Sequence, residues 1–329
     1  MMRVAVVGVG AVGRVVIDAL RCEPTVKAVA AVSHTSTPAG LAADVEIHAV
    51  VPDDSDVVVL TRPSGVRRAA ADALLLGAHV VATTDDPVVV RSLLGLHIEA
   101  VERGLTVAVG AGMAPGLGCV LARFSAAGFD TVEELHVASA GTGGPACARA
   151  HHASLSSLAV DFHDGSWRRR PGGSGRELVW FPEPIGGADC YRCDRADPLL
   201  LVPAFPGVRR VTARVAATRR DRTTAWLPML RRPHPEGLQG AVRAEVRGWR
   251  HGQARTEVVG IAVRPALGAG LAAAIVASWA GTGRLARTGA GGLAELVAEP
   301  GAFLGALNEA GVHTSVFEGA SAPRDAGPT

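Results

Sequence analysis

The stretch RVAVVGVGAVGRVVIDAL, Arg3 to Leu20, constrains the fold more than any other part of the chain. Val4 to Val7 form a short apolar run of the kind buried on both faces in a parallel sheet. Gly8, Gly10 and Gly13 follow in G-x-G-x-x-G spacing, and Val12, Val15, Val16, Ala19 and Leu20 then recur with a helical period. The first glycine allows a tight turn, the second lets backbone approach a pyrophosphate, and the third packs helix on strand. The helix N-terminus offers free N–H groups and the positive end of its dipole to the anion. Glycine spacing alone is weak evidence. Strand, loop and helix in this order make a dinucleotide unit, with contacts expected from Gly8, Gly10, Ala11, Val12 and Gly13.

The next apolar strand, 28–32, ends in Ser33-His34-Thr35. An NAD site places an Asp or Glu there, about 20 residues past the glycines, for the ribose hydroxyls. No acid is present. Hydroxyls and a chargeable His suit a 2′-phosphate, so NADP is expected, with NAD as the alternative. Further strands at 56–60, 79–82 and 105–109 alternate with helices, which implies βαβ units and a doubly wound parallel sheet. Loops at the carboxyl ends of such strands line the ligand crevice. Candidate cofactor contacts are therefore Ser33, His34, Thr35, Thr61, Arg62, Pro63, Thr83, Thr84, Asp85 and Gly112, with Met113 placed towards the substrate.

At 329 residues and 48% hydrophobic content, two domains with sizeable cores are expected. A net charge of +2 gives no global pull towards nucleic acid. Residues 209–255 hold twelve arginines against Asp221, Glu236 and Glu245, but Lys27 is the single lysine, so Arg is the default cation. A solvated or interface face accounts for that excess. The longest apolar run, 266–281, falls short of the roughly 20 residues of a membrane span and reads as a buried helix. The chain opens straight into an apolar strand without a basic leader, so a cytoplasmic location is expected. Five cysteines, an odd number, fit reduced thiols better than a disulfide framework.

GAGMAPGLGCVLA, residues 110–122, resembles the saccharopine dehydrogenase (reductase-type) family, which carries a G-x-x-P-G-L segment and a helix where the chain leaves the nucleotide domain. VVVLTRPSG (57–65) and HVVATTDDP (79–87) are similar to that family's nucleotide-domain loops. Ser33-His34-Thr35 resembles its Ser-Arg-Thr cofactor segment with His in place of Arg. WFPEPIGGADCYR (180–192) and GGLAELVAEPGAFLGALNEAGV (291–312) resemble a substrate-domain strand and the C-terminal helices. The resemblance implies NAD(P) and hydride transfer at a carbon–nitrogen centre of an amino-acid-like substrate. Pro115 reads as the first turn of the crossover helix.

The second half reads as a sheet-rich α+β domain. Strands are expected at 132–138, 178–181, 208–216, 244–248 and 256–263, with His251-Gly252 at a turn. A helix is expected over 147–158, a polar loop over 168–175, and a returning helix over 266–280. GTGGPACARAHH, 141–152, is the densest chemistry in the chain and the expected substrate segment, through Gly141, Thr142, Gly143 and Arg149. Arg149 and Arg192 suit a carboxylate, because their forks bind it two oxygens at a time. Candidate catalytic groups are Cys147, His151, His152 and Tyr191, the chain's one tyrosine. Adjacent helical residues point about 100° apart, so one of the two histidines faces any given site. Adjacent histidines are also similar to dihydrodipicolinate reductases, but Ala153-Ser154-Leu155-Ser156-Ser157 departs from the Lys and P-S-G-T that follow there. Cys190 and Cys193 form a C-x-x-C inside a strand, on opposite faces, so no metal site is expected.

The expected architecture is α/β: a Rossmann domain at 1–120, a substrate domain at 121–265, C-terminal helices at 266–315 packing back on the Rossmann domain, and a disordered tail at 316–329. The expected function is a saccharopine dehydrogenase-like oxidoreductase acting at a C=N or C=O carbon of a small molecule. A homo-oligomer, taken as a homodimer, is expected, without nucleic-acid or membrane partners. The alternatives are a homoserine- or semialdehyde-type dehydrogenase using Cys147 or Cys119, and a catalytically inactive NADP-binding partner protein. Replacing His34 by the missing acid tests the cofactor reading. His34→Asp is expected to move the ratio of NADP to NAD dissociation constants about tenfold towards NAD, the scale of one charge-assisted hydrogen bond. An unchanged ratio in binding titrations removes this loop from the 2′ position.

Overall fold

The computed structural model describes residues 1–33, 40–229 and 232–317; His34 and Thr35 lie outside them. β1 (Met2–Val7), β2 (Val26–Val32), β3 (Glu46–His48), β4 (Val57–Leu60), β5 (His79–Ala82) and β6 (Thr106–Val109) pair in parallel, in the order β3-β2-β1-β4-β5-β6. These are the strands the apolar runs predict, with the short β3 added. Val4, Ala5, Val6, Val57, Val58 and Val59 are fully buried, because helices cover both faces of the sheet. The strand order reverses between β1 and β4, the point beyond whose carboxyl ends such sheets place a ligand crevice.

A second, mixed sheet follows. It contains β7 (Thr131–Ala140), β8 (Leu158–His163), β9 (Ser166–Pro171), β10 (Glu177–Trp180), β11 (Gly187–Arg192), β12 (Arg210–Ala216), β13 (Gly240–Arg250) and β14 (Gln253–Val263). The path runs β10-β11-β12-β7-β13-β14, with β8 and β9 attached beside β12. β13 and β14 are joined by the two-residue turn His251-Gly252, both at positive φ, as a tight hairpin requires. β15 (Gly289–Gly292) returns to the first sheet beside β6, and β16 (Thr314–Val316) pairs with β14.

Several boundaries differ from expectation. The helix expected over 147–158 is Pro145–Ser154, and Leu158 already starts β8. The polar loop expected over 168–175 is largely strand β9, exposed along its length and therefore without an alternating pattern. The C-terminal segment contributes strands as well as helices, and Val316 is in one of them; residues 318–329 lie outside the described part. The crossover helix is Leu117–Ala126, so Pro115 precedes it. Gly116 stands between them at φ 130, in a backbone region that side chains rarely adopt.

One apolar core runs through both sheets. Leu117, Val120 and Leu121 on the crossover helix are fully buried in it, together with Leu135 of β7 and Val242 of β13. The helix Pro265–Gly281 lies against helix Ala11–Arg21 and is apolar all round, as a helix enclosed on every side must be. Gly10 and Gly13 therefore carry different loads. A Cβ on Gly13 would stand 1.9 Å from the Gly8 carbonyl oxygen, whereas one on Gly10 would meet no protein atom within 4 Å. Gly13→Ala is expected to destabilise the fold by roughly 1–3 kcal/mol or more, the cost of overpacking against backbone. Gly10→Ala is expected to stay within about 0.5 kcal/mol of the wild type. Denaturant unfolding of both variants checks the pair of outcomes.

Candidate functional site

The glycine loop is held open by its neighbours. Thr61 Oγ1 donates to the Gly8 carbonyl at 2.6 Å and braces the turn. Gly10 is exposed at the start of helix Ala11–Arg21, whose first turn has no side-chain cap and no acid. That leaves unpaired N–H groups facing the crevice, an arrangement suited to a phosphate. Thr61, Arg62 and Pro63 follow β4, and Thr83, Thr84 and Asp85 follow β5, all at the carboxyl edge beside this loop. Ser33 closes β2, its amide donating to the His48 carbonyl at 3.0 Å. Asp86 caps the next helix through the amide of Val88 at 2.8 Å.

The crossover loop is closed on itself. Gly112 N donates to the Pro115 carbonyl at 3.1 Å, and Leu117 N to the Gly112 carbonyl at 3.0 Å. Gly112 and Met113 are buried. Against this loop lies Arg195, 7% exposed, which sequence reading missed. Its guanidinium donates to Asp85 Oδ2 at 2.8 Å and to the Ala114 carbonyl, and its Nε stands 3.7 Å from Asp197 Oδ2. Burial alone would lower the Arg195 pKa, but the carboxylates of Asp85 and Asp197 outweigh it and hold the group charged. Burial raises the pKa of Asp197 against the pull of Arg195, and its Oδ1 has no hydrogen-bond partner. The only sequence signal was an Asp-Pro pair opening a short helix after Arg195, which is common at helix starts.

The 141–152 segment meets the glycine loop directly. A Cβ on Gly144 would lie 3.6 Å from Ala11 Cβ, and one on Gly143 3.3 Å from Ala266 N. Gly144 thus touches the start of the helix after the glycine loop, while Gly141 and Gly143 pack on Pro265 and Ala266 at the start of the returning helix. Helix Pro145–Ser154 then places Cys147 and His151 four residues apart on one face, within the fields of Asp85 and Arg195. Burial first, then the Arg195 charge, depress His151 to about 4, with a backbone hydrogen bond to Ala216 opposing them. His151 is therefore a neutral imidazole at pH 7.

The other candidates do not converge there. His152 is 7% exposed and its Nε2 lies 3.1 Å from both the Thr224 and Leu227 carbonyls, so it ties the helix to a neighbouring strap. Tyr191 is 3% exposed among Leu155, Cys193 and Val215 and is a core residue. Arg192 donates to Asp161 Oδ2 at 3.0 Å on the polar face of the second sheet. Arg149 is exposed, away from the Cys147 face. Cys190 in β11 and Cys193, one residue past its end, are buried in separate clusters. Among the described residues no group of three or more His, Cys, Asp or Glu is placed to hold a metal. Burial and then Asp85 push the Cys147 thiol up, and burial pushes Cys119 far up, so neither is a ready thiolate.

No protein-family model and no curated protein matches the chain. Solved structures do. Apo saccharopine dehydrogenase (L-Glu forming) from Saccharomyces cerevisiae is 14% identical with a TM-score of 0.69, over 96% of this chain and 100% of that one. An engineered D-amino acid dehydrogenase is 15% identical with a TM-score of 0.53, over 91% and 96%. DAP dehydrogenase of C. glutamicum in complex with DAP is 16% identical with a TM-score of 0.50, over 91% and 95%. The chain shares their fold: a Rossmann sheet followed by a mixed sheet.

The depressed His151 value makes stability depend on pH. Because the folded value lies below the unfolded one, the unfolded chain takes up the proton first as pH falls. Its contribution is complete above the ordinary imidazole value near 6.5 and is lost between there and about 4. The stability gap between wild type and His151→Gln is expected to shift by about 2 kcal/mol between pH 7 and pH 5, against the wild type. Urea unfolding at the two pH values measures it; parallel curves would mean that His151 titrates normally.

Proposed function

We propose that this chain is an NAD(P)-dependent oxidoreductase of saccharopine dehydrogenase-like type, transferring hydride at a C=N or C=O carbon of a small amino-acid-like substrate. The observation that carries the reading is the empty space around Gly10, at an uncapped helix N-terminus, on the edge of a cleft shared with the 141–152 segment. The shared fold with three amino-acid dehydrogenases supports it. NADP is the preferred cofactor, since the strand β2 ends without an acid to bind ribose hydroxyls.

The residues present fit such a cofactor. The amides at the start of helix Ala11–Arg21 would hold the pyrophosphate of a bound dinucleotide. The bound nicotinamide supplies or accepts the hydride. His151, neutral at working pH, orients the substrate nitrogen or oxygen by a hydrogen bond. An iminium nitrogen already carries its proton, so no strong acid is needed. The thiol route is disfavoured, because burial raises both Cys147 and Cys119.

Binding and turnover test the proposal separately. Wild-type protein is expected to enhance NADPH fluorescence, and Gly10→Ala to bind at least about tenfold more weakly while unfolding at the same denaturant concentration. Equal affinity would sink the dinucleotide reading. NADPH oxidation is expected with 2-oxo acids supplied together with an amine or amino acid if the acceptor is C=N, and with the oxo acid alone if it is C=O. Tight NADPH binding without turnover across such pairs favours the inactive binding protein instead.

A further inference from the structure

A separate cavity of about 120 Å³ opens on the polar face of the second sheet, where β8, β9 and β12 meet. Its walls carry Arg168, Arg170, Arg192 and Arg210 against one carboxylate, Asp161. Cross-strand register explains the convergence. Arg168 stands opposite Asp161, and Arg210 opposite His163. Directly opposed residues of antiparallel strands project from the same face. The cavity lies four to six residues along β12 from Ala216, the backbone neighbour of His151. That is roughly 13–20 Å of strand, so the cavity is distinct from the cleft.

Charge here is unbalanced. Asp161 is already engaged by Arg192 Nε at 3.0 Å. Arg168 and Arg170 make no ion pair among the described residues. Arg210 reaches Glu134 only at 4.0 Å, and its Nε is buried without a hydrogen-bond partner. His163 is turned to Asp164, at 2.9 Å. Some arginines of the same sheet have a closer acid, Arg214 with Glu177 at 2.6 Å and Arg243 with Glu245 at 2.6 Å, although Arg243 Nε, like that of Arg210, is buried without a hydrogen-bond partner. Four guanidinium groups thus line the cavity with one carboxylate, already engaged, among them, an arrangement that attracts an anion. The cavity has room for a tetrahedral oxyanion. Guanidinium forks match phosphate oxygens two at a time.

We propose that this cavity binds a phosphate dianion, either free or carried on a small phosphorylated metabolite, independently of the dinucleotide cleft. Isothermal titration of the full chain at fixed ionic strength, with inorganic phosphate and separately with glycerol phosphate, tests it. One saturable site is expected, weakened at least tenfold in Arg168→Ser/Arg170→Ser. Those two side chains are exposed and unpaired, so the double variant keeps the wild-type unfolding midpoint. Phosphate held at the glycine loop instead would be insensitive to this double change. Glycerol phosphate binding as tightly as inorganic phosphate assigns a phosphomonoester, and binding of inorganic phosphate alone assigns the free ion. No saturable binding of either, or equal affinity in the double variant, overturns the proposal.

Discussion

Arg195 must stay charged inside the protein, and the geometry of the cleft depends on how that is achieved. Its guanidinium joins Asp85 of the loop after β5, the Ala114 carbonyl of the crossover loop and Asp197 of its own segment. Three stretches far apart in sequence are thereby fixed at one point. A charge this deep is tolerated only when paired and hydrogen-bonded, and removing the guanidinium would strand two carboxylates at a cost of about 3–5 kcal/mol. The same charge disfavours protonation of His151. One ionic cluster therefore ties the crossover loop to the loop after β5 and adds to the burial that keeps His151 neutral.

The first domain was legible because its signals are local. A glycine spacing and four-residue valine runs read directly as turn and buried strand, and β1, β2, β4, β5 and β6 fall where those runs lie. The second domain was legible in part. β9 has no apolar alternation because it is exposed throughout, and β15 is Gly-Ala-Gly-Gly, with no β propensity to read. Its strand identity comes from the gap beside β6 that only small residues fill: a Cβ on Gly292 would stand 2.8 Å from Leu200 Cβ. Burial was the other hidden variable. Tyr191 and His152 have the right chemistry, but one packs in a core and the other serves two backbone carbonyls. Arg195 was invisible among 32 arginines, because only tertiary structure brings Asp85 to it.

The glycine-dense segment at 141–152 now has a physical account. Its glycines let the second sheet come against Ala11 at the mouth of the nucleotide loop, and its helix turns Cys147 and His151 inwards. The arginine excess of 209–255 resolves differently. Part of it is balanced by acids on other strands, such as Glu134 and Glu177, and of this stretch only Arg210 lines the β8–β9–β12 cavity.

In the proposed reading the glycine loop, the crossover loop and the 141–152 segment form one cleft for a nicotinamide dinucleotide and its substrate. Amide hydrogen exchange with and without saturating NADPH tests it directly. The account predicts slowed exchange at residues 9–14, at 112–117 and at 141–148 together. Protection confined to the first of these, or absent from all three, would contradict it.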